Sequence, residues 1–375
     1  MRTILRLLVW GVMFFFFAST TAAAQSGTNA QDDGIGSPRF TAAGSTLIIP
    51  PTTKTVPHWT SSFTYKGVTF PFTMVGTNPA SGNATTTVPV AIIPFEFVFA
   101  DGRSLDGGRA DLIAKVLASP NFQNFAYTSG TTQFADAVQR AEFWPAVSTT
   151  SANWHVLLGN PTVYPTQVIS VPQNQAVDFV GSHSGKLLAL MSISWFGDRL
   201  HEAINQLHIS PDTLPIIQTY NTFLFIHSVN NCCVLGFHGA FSSLNGNGNQ
   251  QVQTFIYEAW TDPGIFGNPG IQDILPLSHE VSEWANDPFV NNSVPPWQFP
   301  GVPGSCQGNL ETGDPIEVLA DVAFPVTLSG FTYHPQNEAL LQWFSREVPS
   351  SAIGGPSSYS YPDTDVLTSP SQPCQ

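Results

Sequence analysis

The segment Leu277-Ser278-His279-Glu280-Val281-Ser282-Glu283-Trp284-Ala285 constrains this chain more than any other. Wound as a helix at about 100° per residue, it sets His279 and Glu283 one turn apart and about 40° from each other. Glu280 lies beside them, and Leu277, Val281, Trp284 and Ala285 gather on the opposite side. One face is made for packing, and the other presents three ionisable groups. The helix is expected over residues 273–286. It should stop at Asp287-Pro288, because the residue before a proline is disfavoured in α geometry.

Charge is scarce elsewhere, which makes this cluster informative. Charged residues are 10% of the chain, against roughly 25% in ordinary globular proteins. The surface must then be built from Ser, Thr, Asn, Gln and Gly, which suits an extracellular β-rich protein. A net charge of −14 with only four lysines lacks the basic footprint of a nucleic-acid binder. It also lacks the polybasic patch that anionic membranes attract. A hydrophobic content of 42%, with 28 Phe and 9 Trp, excludes wholesale disorder.

The N-terminus reads as a secretory signal peptide: Arg2 and Arg6, an apolar run from Leu7 to Ala18, then Ala22-Ala23-Ala24 before Gln25. Cleavage after Ala24 would remove 24 of the 375 residues and two arginines, taking the formal charge from −14 to about −16. No later segment approaches roughly 18 uninterrupted apolar residues, so no membrane span is expected in the mature chain. The expected location is secreted, extracellular or periplasmic. The four cysteines, Cys232, Cys233, Cys306 and Cys374, would then meet oxidising conditions. Neighbouring cysteines rarely bridge each other, so Cys232 and Cys233 are expected to join Cys306 and Cys374, in either order.

Residues 25–50 read as a flexible lead-in, 51–210 as a β-rich N-terminal part, and 211–375 as the part carrying the site. Strand-like patterns run from Trp59 to Ala100 and recur at Trp154–Leu158, Thr162–Val171, Val177–Val180, Thr222–Val229 and Gln251–Trp260. Helical spacing marks Ala110–Leu117, Thr132–Phe143 and Gly197–Leu207, with a short helix near Asn337–Arg346. Strands interspersed with helices, without a βαβ rhythm, predict an α+β fold.

His-Glu-x-x-Glu has the geometry of the H-E-x-x-H zinc helix, with Glu283 in place of the second histidine. Residues at i and i+4 point at one ion, and Glu280 at i+1 can take a proton from water activated there. A carboxylate ligand makes the site harder, so Mn²⁺ or Ca²⁺ stand beside Zn²⁺ as candidates. The competing reading is a polar helix face with a His–Glu pair. Leu200-His201-Glu202-Ala203-Ile204-Asn205 also opens with His-Glu, but Asn205 is a poor ligand, and that segment reads as a solvated face. The metzincin pattern would put its third ligand at Phe289, which excludes that subclass. Asp314, between Gly313 and Pro315, and Glu311 compete for the third position. His238 and His334 are further candidates, as ligands or as donors to an oxyanion. The chain has no G-x-S-x-G, P-loop or G-x-G-x-x-G.

Three pieces in order carry a resemblance: Cys233-x-x-Gly236-Phe237-His238-Gly239, then Ser278-His279-Glu280-x-x-Glu283-x-x-x-Asp287-Pro288, then Trp297 followed by Gly313-Asp314. This layout is similar to the plant EXORDIUM, or phosphate-induced, extracellular proteins and to bacterial secreted relatives with a zincin-like H-E-x-x-E helix. It covers about residues 220–320. The resemblance implies a secreted protein with a metal site to which Asp314 belongs. Phe237 departs from the plant tyrosine and removes a phenol that would be available to catalysis.

Two functions are expected from this reading. The first is a secreted zincin-like metallohydrolase, a peptidase before other hydrolases. In it His279, Glu283 and Asp314 hold the metal, and Glu280 and His238 serve catalysis. The strand Gln251–Trp260 would then offer an edge to an extended peptide. The second is a non-catalytic binding protein of the cell envelope, with a structural metal or none. A catalytic metal keeps one position open to water, whereas a structural one is closed by protein.

Overall fold

A computed structural model describes residues 39–40, 53–244 and 247–374. The expected signal peptide and, apart from residues 39–40, the lead-in lie outside the described residues. No described helix is long and apolar enough to cross a membrane.

The apolar runs assemble into one mixed sheet of eleven strands. Six of these matter for the site: β1 (Val90–Val98), β2 (Leu187–Ser192), β3 (Leu214–Tyr220), β4 (Thr222–Phe225), β5 (Cys232–Leu244) and β6 (Gln250–Trp260). Their order is β1-β3-β6-β5-β4-β2, flanked by Thr162–Val163 and Ala176–Val180. The pairs β1/β3, β3/β6 and β4/β2 are parallel, and β6/β5 and β5/β4 are antiparallel. Arg39–Phe40 runs parallel to β5 at Val234 and Gly236. The sheet thus takes strands from both sides of residue 210. The α+β class holds, with strands predominating.

The helices are α1 (Ala110–Leu117), α2 (Phe134–Glu142), α3 (Ile193–Gln206) and α4 (Leu275–Asn286). On one face of the sheet, Phe196, Leu200 and Ile204 of α3 pack with Phe95, Phe97, Phe237 and Tyr257. On the other face, Leu277, Val281, Trp284 and Ala285 of α4 pack with Val252, Ile256 and Ala240, and with Leu112 and Val116 of α1. The indole N–H of Trp284 donates to Thr254 Oγ1 at 3.0 Å. Pro276 opens α4, where its missing N–H costs nothing. Asp287 closes it outside helical geometry (φ −145°, ψ 67°), in keeping with its place before Pro288.

Several expectations are corrected. Gln250–Trp260 is an interior strand hydrogen-bonded on both sides, so it offers no edge to a peptide. Strands β2, β3 and β5 escape the local pattern. Pro215 in β3 and Gly236 and Gly239 in β5 read as breakers, yet neighbouring strands hold these segments extended. The strand at Thr222 ends at Phe225, and the C-terminal helix covers only Leu341–Ser345, because Glu338–Ala339 is a strand. The disulfides are Cys232–Cys233 and Cys306–Cys374. Cys232 and Cys233 lie at the start of β5. Cys306 opens a strand that pairs with Ser293–Gln298, and Pro373 bridges to Trp297 of that same strand. The chain path therefore brings Cys374 to Cys306, with Cα atoms 5.8 Å apart.

Glu142 at the end of α2 joins the C-terminal segment to the core. One carboxylate oxygen accepts the Leu341 N–H at 3.1 Å, and the other is buried without a partner. Burial raises its pKa from 4.5 to about 8. The folded protein therefore holds a proton that the unfolded chain releases above its ordinary pKa. This stabilisation is complete below pH 4.5 and is lost as pH rises through about 8, a loss on the order of 5 kcal/mol. Glu142→Gln should flatten the fall in urea midpoint between pH 5 and pH 8. An unchanged slope would show that other groups set it.

Candidate metal centre

Side chains of β5 alternate between the two faces of the sheet. Gly236, His238 and Ala240 face α4, and Phe237 faces α3 among Phe196, Phe255 and Tyr257. A tyrosine at position 237 would point away from the site, so the expected loss of a catalytic phenol is not a loss. Gly236 is required by close approach: a Cβ there would lie 2.7 Å from Glu280 Oε1 and from its Cγ.

The polar side of α4 is not presented to solvent. Every residue of the helix is buried, and the segments around residues 311–314 and 336–338 close over it. His279 and Glu280 are 0% exposed, Glu283 2% and Asp314 3%. His279 Nδ1 meets Gln336 Oε1 at 3.1 Å, and Gln336 Nε2 donates to the Gly313 carbonyl at 2.6 Å. Since Gln336 directs its oxygen at the ring, His279 Nδ1 carries the hydrogen. Its Nε2 then faces Glu283 Oε1 at 3.1 Å and Asp314 Oδ1 at 3.7 Å. Glu283 Oε1 also accepts the N–H groups of Gly313 and Asp314, at 3.0 and 3.3 Å. Asp314 opens the four-residue helix Asp314–Glu317, and its Oδ2 accepts from half-buried Gln307 at 2.7 Å.

His238 repeats the arrangement. Its Nε2 lies 3.2 Å from the Asp287 carbonyl, which can only accept, so that nitrogen carries the hydrogen. Nδ1 faces Glu280 Oε2 at 3.2 Å and Glu283 Oε2 at 3.6 Å. With its N–H engaged, His238 offers the centre a lone pair and not a donor. Glu311 Oε2 is 3.8 Å from His238 Nε2, and both Glu311 carboxylate oxygens are buried without a hydrogen-bond partner.

The ligand atoms of His279, Glu283 and Asp314 lie within 4.8 Å of one another, and so do those of His238, Glu280 and Glu283. Either group can hold a metal ion. No lysine or arginine among the described residues pairs with these carboxylates. Two unit charges 4 Å apart at an effective dielectric of about 20 interact by roughly 4 kcal/mol, so the ionised cluster is costly without a cation. Burial, followed by repulsion from Glu283, pushes Glu280 and Glu311 well above the usual carboxylate range. Burial also pulls His238 down to about 4. For His279 burial again lowers the pKa, but the Glu283 carboxylate outweighs it and the net shift is upward. A proton there occupies the place that a metal would.

The remaining candidate His334, and His201 of the segment expected to be a solvated face, lie elsewhere. His334 is fixed by Asp273, with Nδ1 and Oδ2 2.6 Å apart, and stands outside both groups. His201 is exposed on α3 with its ring against Phe241 and Phe255. Sequence reasoning passed over Gln336 and Glu338, which line the centre. The only signal was a polar run, Gln336-Asn337-Glu338, in a chain that uses little charge. Comparison with protein-family models, with curated proteins and with solved structures returns no match.

Proposed function

We propose that the protein is a secreted metal-dependent hydrolase, a peptidase before other classes, related to the zincin-like H-E-x-x-E proteins. The observation that carries this reading is the double aim of two histidine lone pairs into one buried carboxylate cluster that no lysine or arginine neutralises. His279, Glu283 and Asp314 would hold the ion, with Zn²⁺ first and Mn²⁺ or Ca²⁺ as alternatives. Such an ion supplies a Lewis acid that lowers the pKa of water. Gln336 accepts from His279 Nδ1 and so fixes the tautomer that leaves Nε2 as the ligand atom. Glu280, with Oε1 free of hydrogen bonds, is the base that takes the proton. Gln307, which donates to Asp314, is only half-buried, and water would approach from that side.

The test is hydrolysis of unfolded protein substrates by the purified chain and by Glu280→Gln. The variant should retain metal at the His279 group and lose about 10²–10⁴-fold in kcat. Equal activity would remove Glu280 from the chemistry.

The depth of the centre favours a second reading, a structural metal in a non-catalytic envelope protein. Two surface clefts, one lined by Phe99, Val171 and Asp178 and one by Trp59, Phe143 and Gln342, include none of the proposed ligands. A tightly held ion together with no hydrolysis of proteins, peptides or esters would decide for this reading.

A further inference from the structure

The two groups of ligand atoms are not alternatives, because they share one residue and use different atoms of it. Glu283 turns Oε1 to His279 Nε2 at 3.1 Å and Oε2 to His238 Nδ1 at 3.6 Å. Each histidine is fixed from behind by a separate acceptor, Gln336 Oε1 for His279 and the Asp287 carbonyl for His238. Each then meets a second carboxylate of its own, Asp314 for His279 and Glu280 for His238. We propose that the centre binds two divalent cations bridged by Glu283, one at His279 and Asp314, the other at His238 and Glu280. This rests on the metal-dependent reading above and deepens it.

Three observations support the second position. Glu280 Oε1 and both oxygens of Glu311 are buried and accept no hydrogen bond. Buried polar atoms are rarely left so, and a bound ion is one standard explanation. Glu311 Oε2 lies 3.8 Å from His238 Nε2, the nitrogen turned to the Asp287 carbonyl, so Glu311 adds buried negative charge behind the ring while Nδ1 faces Glu280 and Glu283. The centre also holds more negative charge than one divalent cation offsets, since Glu280, Glu283, Glu311 and Asp314, with Glu338 beside them, are buried acids without a lysine or arginine partner among the described residues. In two-metal hydrolases the ions sit about 3.5–4 Å apart and clamp the attacking and leaving oxygens together.

The experiment is metal counting on the full secreted chain, stripped with chelator and reconstituted with Mn²⁺, with electron paramagnetic resonance of the same sample. Two equivalents per chain and an exchange-coupled spectrum are expected. His238→Asn should bind one equivalent and show the hyperfine pattern of an isolated ion. One equivalent in the wild-type chain would overturn the pair and leave the single-ion reading standing. No metal would overturn both. Two equivalents without coupling, or two retained in His238→Asn, would place the second ion elsewhere. Should His238→Asn fail to fold, the wild-type count and spectrum decide the matter alone.

Discussion

Glu283→Gln is expected to abolish metal binding at the centre while leaving the fold intact. The substitution keeps the shape of the side chain. Its amide nitrogen can donate to the lone pair of His238 or His279, the contact that a proton otherwise has to provide. What it removes is the charge and one of the two oxygens that face the histidines. The readout is thermal or urea unfolding with and without chelator. A ligand present at a thousandfold its Kd stabilises the folded state by about 4 kcal/mol. The wild-type chain should lose a step of that order on chelation, and Glu283→Gln should lose none. Hydrolysis should vanish with the metal. If the variant keeps its full metal content, Glu283 is not a ligand and the centre must be reassigned to the remaining carboxylates.

Gly313→Ala is expected to damage the same centre from the other side. Gly313 has ordinary right-handed geometry (φ −84°, ψ −37°), so the backbone itself tolerates alanine. Space does not. An added Cβ would stand 2.7 Å from His279 Cγ and closer still to Nδ1 and Cε1. The ring is pinned between Gln336 and Glu283 and cannot retreat without breaking one of those contacts. Overpacking of this kind costs typically about 1–3 kcal/mol. A displaced first ligand should also weaken metal binding by well over the roughly 10–100-fold seen when second-shell partners are removed. Calorimetric titration of the stripped protein with Zn²⁺ would measure this. Unchanged affinity would mean that His279 can move freely and is not the ligand that orients the ion.

The local pattern carried a good deal of this molecule. The amphipathic period located α4 to within two residues at its start and matched its end, and Leu277, Val281, Trp284 and Ala285 pack as one face. Asp287-Pro288 marked the stop, for a steric reason that acts within a dipeptide. Helices at Ala110–Leu117 and Phe134–Glu142 followed from spacing alone. Strand β5 did not, since Gly236 and Gly239 weaken its signal and its extended form is imposed by β6 and β4.

That His279, Glu280 and Glu283 share one side of a helix follows from a fixed rotation per residue, which nothing else in the chain can alter. Only the tertiary structure decided what faces them. His238 arrives through the register of β5 against β6, Asp314 and Glu311 through the path of the chain after Ser293–Gln298, and Gln336 through a segment 57 residues away from its histidine. The same long-range path joined Cys374 to Cys306 and left Cys232 to its neighbour. It also buried the polar face of α4. Local periodicity reports which residues point together, and burial reports what the rest of the chain places over them, so the charge chemistry of this centre arose at the second level.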